Sequence, residues 1–290
     1  MAIRRLARDT VRLVLIATRT LLGLSRAEQP VLPPVCSCTT NGLRPYSLIL
    51  SINSIWLQRS RPQQVFVSCP DESFERIRRL IARWSLGPCE VRSLTDDRGP
   101  VEKYLAARER FEQSHIVTFD DDVCYEPDWL EQLWACHERH PTAICGHRGF
   151  MLPWNVEVFS GGAQEDGSEH VSMDIFLTGH GGILYPDGVL GQFVWDTELM
   201  NTLSARNDDI WLHLAATVDQ VPKVLCASSR REPAAHPWRQ RKALRTENVG
   251  NRRNATYWAA CRSFLYRRSG DAGIQASTSL KDGQTDMFRE

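Results

Sequence analysis

Three consecutive carboxylates, Asp120-Asp121-Asp122, stand at the carboxyl end of an apolar, β-rich run at residues 116–119, and a second acidic pair, Asp208-Asp209, opens an apolar-periodic stretch much further on. Neighbouring carboxylates raise each other's pKa and repel unless a cation lies among them. The triplet can be read as a solvated turn that caps the next helix. The apolar strand before it favours a cation site, because open α/β sheets bind ligands just beyond the carboxyl ends of their strands. Two carboxylates one residue apart suit a hard cation, Mn²⁺ or Mg²⁺, held against a diphosphate. Asp122 is then the expected metal ligand and Asp120 its support, on a ribose hydroxyl or through water, with Asp121 beside them at the donor.

Asp208 and Asp209 precede the helical pattern of Ile210, Leu214 and Val218. One of them can be an N-cap, which explains a single Asp better than a pair. A carboxylate at a cleft edge can also take the proton from a hydroxyl nucleophile, and a helix amino terminus is expected to keep it ionised at neutral pH. Between the two clusters, Thr178-Gly179-His180-Gly181-Gly182-Ile183 places glycines before a strand, either a tight turn or a close approach of backbone to ligand.

The elements that must position these groups alternate. Strands are expected at 35–39, 64–68, 89–93, 115–119, 142–146 and 221–227. Helices are expected at 45–59, 71–84, 100–111, 128–140 and 254–266. Repeated βαβ units imply a mostly parallel sheet covered by helices, with the triplet after the fourth strand. Residues 147–178 read as an excursion over the active edge. Trp154, Trp195 and Trp211 are open to two uses, core packing or stacking on a sugar face.

The formal charge is zero, with 35 basic and 35 acidic residues, so nothing in the balance invites nucleic acid. Nine cysteines without a C-x-x-C pair suggest buried free thiols in a reducing compartment, the cytoplasm. In residues 1–29, Arg4, Arg5, Arg8, Arg12, Arg19 and Arg26 fall in one sector of a helical wheel. Ile3, Leu6, Leu13, Val14, Ala17, Leu21 and Leu24 fall on the other side. Such a helix suits an anionic membrane surface, peripheral and not spanning, or else packs on the body of the protein. Residues 30–34 read as a stiff linker and 35–266 as one domain. The basic segment at 230–245 reads as a loop over a diphosphate or as a solvated or membrane-facing patch, and 267–290 as a disordered tail.

In order and spacing, Thr39-Thr40 with Arg44, Gly99-Pro100 with Lys103, the triplet, Gly181-Gly182 and Asn207-Asp208-Asp209 resemble the GT-A fold glycosyltransferases, in particular bacterial family 2-like enzymes. The resemblance implies an α/β, Rossmann-like, single-domain mixed sheet. It implies transfer of a sugar from a nucleotide-sugar donor to a glycan or lipid-linked acceptor, with Mn²⁺ or Mg²⁺ and inversion at the anomeric carbon. It also implies that Thr39, Thr40 and Arg44 meet the base or ribose and that Lys103 lies near the donor. Gly181 and Gly182 would line the sugar and acceptor pocket, Asp208 would touch a hydroxyl and Asp209 would be the base. His236 is the nearest candidate for the histidine that many such enzymes add to the metal. Two other readings are a metal-dependent phosphohydrolase with Asp120 as nucleophile, and a catalytically silent nucleotide-sugar binding module.

Overall fold

Val35, Cys36 and Cys38 in one segment and Val65, Phe66 and Val67 in another are buried, as in strands covered on both faces. They form β1 (Val31–Thr39) and β2 (Arg61–Pro70), which pair in parallel. The computed structural model describes residues 2–25, 28–157, 159, 167–227, 234–235 and 253–272. His236, residues 230–233, the basic residues from 239 to 245, Gly161-Gly162 and residues 273–290 lie outside these.

The linker expected at 30–34 is corrected: β1 begins at Val31, which pairs with Arg61. Prolines lack an N–H for the ladder, and the register breaks between Leu32 and Val35, where Pro33 and Pro34 stand. The chain continues through α2 (Pro45–Trp56), α3 (Asp71–Trp84), β3 (Cys89–Leu94), α4 (Glu102–Arg110) and β4 (Ile116–Thr118). After β5 (Val123–Cys124), α5 (Trp129–Arg139) and β6 (Ile144–Gly146), the expected excursion contains β7 (Gly149–Met151), β8 (His170–Ser172) and β9 (Ile175–Leu177). Then follow β10 (Ile183–Tyr185), α6 (Thr197–Leu203), α7 (Asp208–Val218), β11 (Lys223–Leu225), β12 (Ala234–Ala235) and α8 (Arg253–Ala272). The last helix continues past residue 267, where a disordered tail was expected to begin.

Eight strands form one mixed sheet in the order β3-β2-β1-β4-β10-β6-β11-β8. Only β10 and β8 oppose the common direction. The period of two along each strand divides the core. On one face, α4, α6, α7 and α8 cover Val35 and Phe66; on the other, α2, α3 and α5 cover Cys36, Cys38, Val65 and Val67. The chain runs outward from β1 to β2 and β3, then returns to place β4 on the other side of β1. The carboxyl ends of β1 and β4 therefore meet at a switch point, where a ligand crevice opens.

The helix α1 (Ala2–Leu22) docks on α2 and β12. Ile16 is buried beside Leu57 and Cys124, and Thr20 accepts a hydrogen bond from Asn53 at 2.9 Å. One face of α1 thus packs on the body. None of the described helices is long and apolar enough to cross a membrane. All nine cysteines are unpaired.

Candidate functional site

The acidic triplet leaves β4 through a loop whose backbone is held from below. The Asp120 N–H donates to the Tyr125 hydroxyl at 2.9 Å, Val123 N–H to Ser51 Oγ at 3.1 Å and Tyr125 N–H to Ser54 Oγ at 3.2 Å. Ser51 and Ser54 lie one turn apart on buried α2, so one helix face receives the loop. From α1, Arg12 donates to the Tyr125 carbonyl and pairs with Glu126 at 2.6 Å. The triplet does not cap α5, whose N-cap position is Asp128.

Arg44 in the loop after β1 spans two of the carboxylates, with Nη1 at 2.5 Å from Asp122 and Nη2 at 3.1 Å from Asp121. Thr40 donates to Asp121 at 2.6 Å. Burial pushes Asp121 up to about 6, with Arg44 and Thr40 pulling the other way. The Thr39 hydroxyl is instead directed at the Ser68 carbonyl, 3.2 Å away in the β1–β2 ladder.

Lys103 reaches across the cleft from α4, with Nζ 3.1 Å from Asp120 and 2.8 Å from Asp208. Burial alone would lower its pKa, yet Asp120, Asp208 and Asp209 together hold it well above the usual lysine range. The two acidic clusters are thereby one site, joined by an ammonium group. His180 adds a second nitrogen, 3.8 Å from Asp120.

Asp208 and Asp209 are not spent on capping. Asn207 is the N-cap of α7, accepting from Ile210 N–H at 3.0 Å, and its amide is tied to Asn254 of α8 at 2.8 Å. Ala205 and Arg206 carry positive φ angles of 37° and 71° in the turn that aims α7 at the cleft. Asp209 accepts from Gly179 N–H at 2.9 Å. Its pKa is pushed up to about 7, first by burial and then by Asp208, against Lys103 and the Gly179 bond. The helix terminus expected to keep this carboxylate ionised is thus opposed by burial, which raises its pKa toward neutrality.

The glycines divide differently from the sequence expectation. A Cβ on Gly179 would stand 2.7 Å from Lys103 Nζ and 3.0 Å from Asp209, so this is the glycine that admits the carboxylates. Gly181 and Gly182 lie against Arg148 and Trp129. The Trp129 indole donates to the Gly181 carbonyl at 2.8 Å, and Gly182 adopts φ +86°. Trp211 is fully buried, and Trp154 stacks on Trp258 at 4.0 Å, so both are core residues, while Trp195 packs at the margin of the same core.

Tyr125, His180, Ser51 and Ser54 were not singled out as site residues from the sequence. Only His180, inside the glycine motif, carried a local signal. His236 lies outside the described residues; Ala235, which precedes it, pairs with Val123, the residue after Asp122.

Asp120 and Asp122 are of the residue type that holds a divalent ion completed by substrate phosphates, and in this structure they are paired with Lys103 and Arg44. Among the described residues the one group of three ligand side chains within 4.8 Å is Cys136, Cys145 and Cys226. These thiols are buried in the core between α5 and the sheet, and Cys145 Sγ–H donates to the Ala143 carbonyl at 3.6 Å.

No family model matches the chain. No curated protein matches it either. Among solved structures it is similar to S. aureus TarS 1-349, with 13% identity over 71% of this chain and a TM-score of 0.42; the match spans 59% of that chain. It is also similar to the mannosyltransferase PcManGT from Pyrobaculum calidifontis in complex with GDP-Man and Mn²⁺, with 12% identity over 94% of this chain and 87% of that one and a TM-score of 0.39. Likeness of that degree carries no weight for the chemistry of this chain, which rests on its own residues.

Proposed function

We propose that the chain is a GT-A type glycosyltransferase that moves a sugar from a nucleoside diphosphate donor to an acceptor hydroxyl with inversion. The observation that carries this reading is the Lys103 bridge between Asp120 and Asp208, which joins a carboxylate pair suited to a metal–diphosphate to the acidic pair that contains the candidate base, Asp209. Asp122 and Asp120 would hold Mn²⁺ or Mg²⁺, and His236 is the third candidate ligand. When bound, the metal supplies charge neutralisation on the departing diphosphate.

The residues of the chain do the rest. Arg44 and Thr40 fix the triplet at the donor end, and Lys103 offsets the negative charge shared by the two clusters. Asp209, at about 7, is matched to general-base work near neutral pH. It takes the proton of the acceptor hydroxyl while that oxygen attacks the anomeric carbon. The bond from that carbon to the diphosphate breaks on the opposite face, and the configuration inverts. Free thiols suit a cytoplasmic setting, and the acceptor is a glycan or a lipid-linked hydroxyl.

The test is metal-dependent release of nucleoside diphosphate across a panel of nucleotide-sugars, for wild type, Asp122→Ala and Asp209→Asn. Removing a general base typically lowers turnover by about 10²–10⁴. If both variants turn over like wild type, the site assignment is wrong.

A further inference from the structure

The apolar residues of α1 divide between two faces. Leu13 and Ile16 turn toward the body, Ile16 being 5% exposed. Val11, Val14 and Leu15 are each 58% exposed, Leu21 69% and Leu22 64%. At 100° per residue these five form one outward stripe, with positions 11, 14, 15, 21 and 22 spaced i, i+3, i+4, i+10 and i+11. Arg8 and Arg19 lie at its flank on the same wheel. The helix has five arginines and a single acid, Asp9. That acid is turned from solvent, with its side chain 16% exposed, and is paired with Arg8 at 3.0 Å. The outward face is therefore mostly apolar, with Thr18 among the five, bordered on one side by Arg8 and Arg19 and free of carboxylates.

We propose that α1 seats the protein on an anionic lipid bilayer, with Val11, Val14, Leu15, Leu21 and Leu22 in the interface and the flanking Arg8 and Arg19 at the headgroups. An apolar stripe with cationic flanks fits an anionic interface, where buried apolar area and headgroup attraction add. Docking also has a position relative to the cleft. Arg12 holds the Tyr125 carbonyl and Glu126, directly after the triplet, and Ile16 packs on Cys124. The helix is thus fixed behind the metal end of the site. Granting the transferase reading, the acceptor class that fits is a membrane-borne hydroxyl.

The test is flotation of the full chain with vesicles of phosphatidylcholine containing about 30% phosphatidylglycerol, against phosphatidylcholine alone. The wild type is expected to float with the anionic vesicles and to remain behind with the neutral ones. Each flanking arginine replaced by alanine lowers the partition several-fold, about fivefold for Arg19→Ala. The double variant Leu15→Asp with Leu22→Asp loses at least about tenfold while melting at the wild-type temperature, because both side chains are exposed. Binding of Mn²⁺ with a nucleoside diphosphate is unchanged in that variant. A protein that floats but binds no nucleotide keeps the docking and loses the enzyme reading. The proposal is overturned if the wild type does not float, if it floats equally with neutral vesicles, or if light scattering shows a dimer that the double variant splits, which would make the occupant a second copy.

Discussion

Replacing Lys103 with methionine tests the electrostatics of the site without depending on a known acceptor. Lys103 is 6% exposed, and methionine has a similar length, so the substitution removes the charge and keeps most of the packing. The ammonium nitrogen and the Asp209 Oδ1 lie 2.7 and 3.0 Å from the same point above Gly179, and hence within about 6 Å of each other. At that separation and an effective dielectric of about 20, their attraction is about 2.8 kcal/mol. That amounts to about two pKa units. The separation is an upper limit, so the attraction at this dielectric is at least of this size. Carboxyl ¹³C NMR titration, with Asp209→Asn to assign the resonance, is expected to give a wild-type inflection near 7 and one about two units higher in Lys103→Met. The sign follows from the charge: the cation favours the carboxylate, so its loss favours the acid, and the acid limb of kcat/KM moves to higher pH with it. A wild-type inflection near 4 would refute the burial argument. An unmoved inflection in the variant would refute the role given to Lys103.

Two further substitutions probe the scaffold. Gly182→Ala forces a side chain into φ +86° with its Cβ 2.3 Å from the Trp129 ring, and thermal or urea denaturation should show a loss of about 2–4 kcal/mol. Asn53→Ala removes donors to Thr20 and the Trp84 carbonyl and an acceptor for Leu86 N–H from a fully buried position; the expected loss is about 2–3 kcal/mol, with amide exchange in α1 rising first because that helix loses its polar anchor.

Where the sequence was informative, the signal was local. An apolar run ending in three carboxylates marks a strand and a cation-seeking loop within one short stretch, and the switch from period two to period 3.6 orders the βα units. Where it misled, a nonlocal partner decided the outcome. Pro33-Pro34 has the composition of a linker, yet β2 stands alongside and extends the strand back to Val31, leaving only a register break as the trace of the prolines. A helical wheel separates arginines from leucines, but it cannot show that Ile16 meets Cys124 while Leu15, its neighbour, meets solvent. Ser51 and Ser54 look like ordinary polar residues in a helix. Their use appears only when α2 lies beneath the triplet and their hydroxyls collect two backbone N–H groups.

Asp209 shows why the remainder of the site needs the fold. Sequence places it at a helix start, where a dipole contributes about 0.3–1 kcal/mol toward ionisation. A rise from 3.8 to about 7 corresponds to about 4 kcal/mol in the opposite direction. That opposing effect arises from α4, the Gly179 turn and α7 closing on one another, none of which is adjacent in the chain. Because Asn207 satisfies the cap, both following carboxylates are left for the cleft. An acidic pair after an amide residue at a helix start is then chemically different from an acidic pair that begins the helix itself. The first has a cap to spare and can place charge where desolvation tunes it; the second must use one carboxylate to close the helix.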